Sequence, residues 1–475
     1  MTAPAPLPDA ATPAGSTVAV RYRPGSRAIR RYTFLYALAT LGVVLLFGSA
    51  AVLLPLHVQE LEFPRFFTGA DAHLSLQSLE DLKKQVDAGK VSPTPHQERL
   101  LTLLDRFNSS RATRLSLVTS VAVFVTMLIQ PVIGLLSDRT RSAWGRRAPW
   151  IAGGAIAGAA LIALFPLVPD IAVLVVLWSL VQMAANVVQG PLSATVADRI
   201  PEDRLAGVST VTGMVGYFGA IVGAAVTGTL FTVMGLAAYF PLAVALALGA
   251  VSFVWFARDR SSRDLVVERP RLRSFLSSYV LALGDRDYRW AWIAKVLLFI
   301  GYGISTVYAV YMLQSYVSPG LSVDDAAKTA PLVQVAGVPG ALVGMAVCGR
   351  WSDRIGRRKP FVAAASLIMA GSFLIPFVWP TLPGMFAQAI VGGLGFGVFI
   401  VVDQALSIDV LPDPDAVGRD LGLATLGGNL GQAVGPLLAG AVVAVFGGAY
   451  GPIWPFACVL VLMAAFAVLP IKRVR

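Results

Sequence analysis

Segments such as Thr33 to Val52, Ile171 to Met183, Pro241 to Ala257 and Pro452 to Pro470 are apolar on every face of a helix. They lack the polar stripe that a water-facing helix carries. No soluble packing covers such segments, so lipid is the solvent they need. Only 14% of the 475 residues are charged and 56% are hydrophobic, against about 25% charged in a soluble domain. Counting stretches of about twenty apolar residues gives twelve spans, near 33–57, 113–137, 148–168, 171–197, 205–233, 236–257, 290–315, 329–350, 360–380, 384–409, 420–446 and 452–470. The expected fold class is an all-α polytopic membrane protein, its twelve transmembrane helices forming two pseudo-symmetric six-helix bundles.

The formal charge of +11 does not point to nucleic acid, because the Lys and Arg residues lie between the apolar segments and never interleave with aromatics. The positive-inside rule accounts for them. With the amino terminus inside, the cytoplasmic connections hold Arg139, Arg141, Arg146 and Arg147, then Arg199 and Arg204, then Arg350, Arg354, Arg357, Arg358 and Lys359, and finally Lys472, Arg473 and Arg475. The short outer connections after the third, fifth, ninth and eleventh spans hold none. A multi-pass plasma-membrane protein with both termini in the cytoplasm is expected. Residues 1–32 read as a disordered cytoplasmic tail, 33–257 and 290–470 as the two bundles, 258–289 as a basic cytoplasmic linker and 471–475 as a short tail. The extracellular insertion 58–112 carries Leu76, Leu79, Leu82 and Val86, then Leu100, Leu101, Leu104 and Phe107, at helical spacing. Two short amphipathic helices capping the outer membrane face are expected there.

The two halves repeat a signature. Gly134-Leu-Leu-Ser-Asp138-Arg139, followed by Gly145-Arg146-Arg147-Ala-Pro149-Trp150, returns as Gly349-Arg-Trp-Ser-Asp353-Arg354, followed by Gly356-Arg357-Arg358-Lys-Pro360-Phe361. Ala197-Asp198-Arg-Ile-Pro201 returns as Ile408-Asp409-Val-Leu-Pro412. Each copy places carboxylates and a basic cluster at helix ends, where ion pairs and helix dipoles can hold one side of the membrane shut. Repeated bundles rocking about a midplane site are how many secondary transporters achieve alternating access. Asp138, Arg139, Arg146, Arg147 and Asp198 are the expected cytoplasmic gate of the first half, with Asp353, Arg354, Arg357, Arg358 and Asp409 as its twin.

This motif resembles that of the major facilitator superfamily, Gly-x-x-x-Asp-Arg-x-Gly-Arg-Arg between the second and third helices. The longer first copy, from Ser137 to Trp150, is similar to that of glycoside–pentoside–hexuronide cation symporters, and of plant sucrose carriers in particular. Ala185-Asn186-Val-Val-Gln189-Gly190-Pro191 resembles the sucrose carriers' Asn-Asn-x-x-Gln-Gly-Pro run. The chain departs from those carriers at Gln182, where they have an acidic residue, and at Ser193, where they have an arginine. The resemblance implies clusters that stabilise the outward-facing state. Gly216, Gly219 and Gly223 on the fifth span occur without the Gly-Pro that marks many drug–proton antiporters of the superfamily, which leans towards uptake.

Ionisable residues inside a span cost on the order of 3 kcal/mol at the helix centre, so those retained are functional candidates. Asp403 is the one carboxylate well within a span, which makes it the candidate for proton coupling. Burial favours the neutral form of a carboxyl group and a nearby cation the charged form, so Asp403 can equally join the Arg354, Arg357, Arg358 and Asp409 gate. Lys295, about one and a half turns into the seventh span, is expected to snorkel to the interface. Gln182, Asn186, Gln189, Gln334, Asn429 and Gln432 can hydrogen-bond a hydroxylated solute, or join helices at about 1 kcal/mol each. Tyr302, Tyr308 and Tyr311, near Gly301 and Gly303, suit a bendable gate with aromatic faces for a sugar ring. On the eleventh span Gly427, Gly431 and Gly435-Pro436 form a small-residue stripe.

The expected function is proton-coupled symport of a small hydroxylated solute such as a sugar or glycoside, by a monomer in the bilayer, with no cofactor and no metal. The alternatives are proton-coupled export of a drug-like compound or metabolite, and a membrane enzyme or receptor. His57, His73 and His96 form no cluster, and Cys348 and Cys458 have no metal-ligand spacing. Nothing assembles a catalytic constellation.

Overall fold

The computed structural model describes residues 27–259, 261–263, 283–355, 358–411 and 417–472. Among the described residues thirteen helices of length carry the fold: α1 (Arg27–Phe66), α2 (Leu76–Asp87), α3 (Pro95–Arg139), α4 (Ala148–Ala163), α5 (Ile171–Arg199), α6 (Glu202–Met234), α7 (Tyr239–Phe256), α8 (Arg286–Val307), α9 (Val323–Ile355), α10 (Lys359–Val378), α11 (Leu382–Asp409), α12 (Val417–Val445) and α13 (Ile453–Ala467). Ten helical stretches among the described residues are long and apolar enough to cross a bilayer. One of them, Gly207–Phe256, turns back at Gly235 (φ +57) to give α6 and α7, and the shorter α13 completes twelve spans. Only α2 does not span. The ends where α1 begins and α13 finishes lie on one side, the terminal end; α2 marks the opposite cap end.

The two halves repeat one pattern of neighbours. In the first, α1 packs on α6 and α7, α5 on α3 and α4, and α4 on α7. In the second, α8 packs on α12 and α13, α11 on α9 and α10, and α10 on α13. The seam between them, α3 with α12 and α6 with α9, maps onto itself when the halves are exchanged. The duplicated signature thus belongs to duplicated bundles.

Small residues set these approaches. The small-residue stripe of α12 lies on α8, where a Cβ on Gly431 would stand 2.5 Å from Phe299 and one on Gly435 2.8 Å from the Ile300 carbonyl oxygen. Another close approach joins α9 and α11: a Cβ on Gly393 would stand 2.1 Å from the Gly337 carbonyl oxygen. Backbone cannot yield as a side chain tip does. Gly393→Val is therefore expected to destabilise the protein by about 1–3 kcal/mol, the usual cost of overpacking. A lowered melting temperature in detergent checks it, with Gly371→Ala, whose Cβ meets open space, as the unchanged control.

Two expectations are corrected at the cap end. The segment carrying Leu100, Leu104 and Phe107 is no separate helix. Nothing between Asn108 and Ala112 breaks a helix, and Thr94 and Gln97 form a capping box that starts α3 at Pro95, so the amphipathic turns run straight into the span. The seventh span, expected as one piece over 290–315, instead breaks at Tyr308 (φ −106, ψ 21) into a single turn Ala309–Tyr311 and a π-helical turn Met312–Tyr316.

Candidate functional site

At the terminal end Asp198 occupies the last turn of α5, where a carboxylate opposes the helix dipole and needs cations to stay. Two are supplied by the loop before α4. Arg146 Nη2 donates to Asp198 Oδ1 at 2.7 Å and Arg147 Nε to Oδ2 at 2.6 Å, while Arg147 Nη2 lies 3.0 Å from Asp138 Oδ1 at the end of α3. The motif residues of α3, the loop and α5 are thereby joined in one cluster around the buried Arg147. Arg139 lies half-buried beside it without entering the chain of ion pairs. In the second half Arg358 Nε lies 3.4 Å from Asp409 Oδ2. Arg354 is exposed at the end of α9; Arg357 and the side chain of Asp353 lie outside the described residues.

Deeper in the second half, Asp403 on α11 pairs with Lys295 on α8, Oδ2 to Nζ at 2.7 Å. This overturns the snorkelling expected of Lys295: its side chain is only 15% exposed, because a carboxylate meets it inside. Asp403 lies roughly 9 Å from the end of its helix at 1.5 Å per residue. Its partner there is the lysine rather than the Arg358 and Asp409 pair. The two charges neutralise one another, which removes most of the cost of holding either in the span.

The polar candidates divide. Gln182 and Gln189 on α5, Gln334 on α9 and Asn429 on α12 are half-buried, and Gln432 is exposed. Asn186 Nδ2 donates to the Gln182 carbonyl of its own helix at 2.9 Å, while Gln189 Oε1 is enclosed without a partner. Tyr302 stacks on Phe396 with centroids 4.5 Å apart and planes at 14°. Tyr308 and Tyr311 do not join it. Both are fully buried at the cap end, where Tyr308 donates to the Ala112 carbonyl at 2.8 Å and Tyr311 to the Pro55 carbonyl at 2.7 Å.

Sequence reasoning passed over two features: the pairing of Lys295 with Asp403, and Arg111, whose side chain is fully buried where the two halves meet. Arg111 carried no signal of its own, since Arg106 and Arg114 flank the same start of an apolar run.

Comparisons with known proteins agree with this architecture. The family model described as Major Facilitator Superfamily matches residues 100–346 and 332–474. An uncharacterized symporter of Synechocystis is 77% identical over 26 residues, which is 6% of this chain and 5% of that protein. An uncharacterized protein of Archaeoglobus fulgidus is 32% identical over 145 residues, covering 30% of this chain and 59% of its own length. Among solved structures, a mutant of the nucleoside transporter NupG superposes with TM-score 0.66 at 13% identity, over 93% of this chain and 99% of its own. A bacterial homolog of the human lysosomal transporter Spinster, inward-facing and occupied, gives 0.63 at 14% over 95% and 98%. Peptide transporter POT in complex with sulfate gives 0.62 at 14% over 93% and 94%.

Proposed function

The chain belongs to the major facilitator superfamily and is a membrane transporter, and on that premise we propose that it is a proton-coupled symporter of a small hydroxylated solute, a sugar or glycoside. The Lys295–Asp403 pair carries this reading. While Asp403 is ionised the pair is closed and neutral. When a proton neutralises Asp403, Lys295 is left as an uncompensated cation inside the span, and its three donors need acceptors. Solute hydroxyls can supply them, so proton and solute are favoured together. Gln182, Gln189, Gln334, Asn429 and Gln432 are the further donors and acceptors of the solute, with Asn186 placed beside Gln182 and Tyr302 offering an aromatic face. Tyr308 and Tyr311 act instead in closing the cap end. The likeness of Ser137 to Trp150 to the sucrose carriers supports a sugar, and the absence of Gly-Pro on α6 supports uptake.

In this reading the cap end is outside and the terminal end cytoplasmic, the orientation that the arginine asymmetry favours. Tags inserted in the cap between residues 88 and 94 should be reached from outside intact cells, and tags in 264–282 only after permeabilisation. The opposite pattern overturns the orientation. Uptake of radiolabelled sugars by vesicles under an imposed proton gradient tests the function: accumulation in the direction of proton flow is expected, and its absence for every sugar offered sinks the substrate class.

A further inference from the structure

We propose that Arg111 is the latch of the outer gate and that the α2 cap is the clasp that reinforces it, so that the protein opens outward only when both let go. The inference uses the two-bundle architecture and the orientation given above; it holds whatever solute is carried.

The cap is fastened to the first half. Phe67, Leu76 and Leu79 pack with Leu100, Leu104 and Phe107 of α3 in a small core of their own. Lys83 pairs with Asp105, and Asn108 Nδ2 donates to Glu80 Oε1 at 2.9 Å. The cap and the outer turns of α3 therefore move as one body. The adjacent flank of α2 reaches the second half: Lys84 Nζ donates to the Val317 carbonyl at 2.6 Å and Gln77 Nε2 to the Gly320 carbonyl at 3.3 Å.

Arg111 lies three residues beyond Asn108 on α3 and is fully buried. Four donations leave its guanidinium: Nε to Tyr450 Oη at 3.1 Å, Nη1 to Gln59 Oε1 and to Gln314 Oε1 at 3.0 Å each, and Nη2 to Ser315 Oγ. Its carbon centre stands 4.3 Å from the Tyr311 ring and 5.0 Å from that of Phe107. Gln59 is on its own half; Gln314, Ser315, Tyr311 and Tyr450 are on the other. The acceptors Gln314 and Ser315 sit in the π-helical turn that follows the break in the seventh span, and such turns recur at functional positions.

The chemistry suits a contact that must break in every cycle. Each partner is neutral, so separation leaves no carboxylate stranded in a dry interface, where an orphaned charge would be costly. The guanidinium itself hydrates as the gate opens, and the two tyrosine bonds to backbone carbonyls are released with it. Weakening the latch must shift the population towards the outward-open state by the difference it makes between the two states.

The reporter for this is Ser120→Cys in a chain whose Cys348 and Cys458 are replaced by serine. Ser120 lies one turn below Ser116 on the seam-facing side of α3 and is fully buried. Its reaction with a membrane-impermeant maleimide is read from each side of the membrane. Arg111→Gln is expected to speed labelling from outside roughly tenfold or more and to slow it from inside, since one population supplies both states. Arg111→Lys, which keeps the charge but not the fork, should fall between. Gln77→Ala with Lys84→Ala, a change confined to the cap surface, should speed outside labelling several-fold. Unchanged labelling in Arg111→Gln overturns the proposal, as does faster labelling from both sides, which marks loosened packing. If Arg111→Gln does not reach the membrane, the cap double variant decides alone, and an unchanged rate there counts against the latch.

Discussion

Asp403→Asn is expected to abolish gradient-driven accumulation while leaving counterflow exchange in place. The amide keeps the size of the carboxylate and can still accept from Lys295, but it cannot take up a proton. Binding and rocking then survive and only the energy input is lost. A membrane potential of 100 mV supplies about 2.3 kcal/mol per charge moved, which corresponds to about fiftyfold accumulation at 1.4 kcal/mol per decade. That factor is what the variant should forfeit. The assay is paired uptake and counterflow in reconstituted vesicles at matched protein content. A carboxylate that serves only to neutralise Lys295 predicts something else: both activities fall in parallel, or the protein is lost from the membrane, or accumulation persists.

Asp198→Asn should have the next largest effect. One carboxylate holds both Arg146 and Arg147 at hydrogen-bonding distance, and its side chain is 17% exposed. Removing one partner of a buried pair costs about 3–5 kcal/mol when the site is dry, whereas an exposed pair is worth about 1 kcal/mol or less; a partly exposed cluster falls between the two. If the cluster stabilises the state closed to the cytoplasm, transport should slow by on the order of tenfold, and a cysteine at the terminal end of α3 should label faster from the cytoplasm. Asp138→Asn should do the same more weakly, because Asp138 is 54% exposed and meets Arg147 alone. Normal expression accompanied by unchanged rate and unchanged labelling would remove the cluster from gating.

The span boundaries were legible because apolar length is a local property: α5, expected at 171–197, runs Ile171–Arg199, and α11, expected at 384–409, runs Leu382–Asp409. The ion pairing of Asp138, Arg146, Arg147 and Asp198 was legible for a related reason, since these residues sit at helix ends that a twelve-span topology must bring to one side. Lys295 was not. Whether it reaches the interface or a carboxylate depends on how α8 is rotated against α11, and a uniformly apolar helix carries no polar stripe to reveal that rotation. Arg111 was hidden by its position at the start of an apolar run, where an anchoring role and a buried one look alike. Tyr308 and Tyr311 read as gate aromatics from their spacing, yet the break after Val307 turns them into the seam between the halves.

The central claim is that solute and proton travel together by way of Asp403. The most direct measurement is external pH on adding sugar to lightly buffered, de-energised vesicles that contain the purified protein. The account predicts that sugar entry makes the medium more alkaline with wild-type protein and leaves its pH unchanged with Asp403→Asn, although sugar still enters. Entry without any pH change in the wild type, or acidification of the medium as solute moves in, would contradict it.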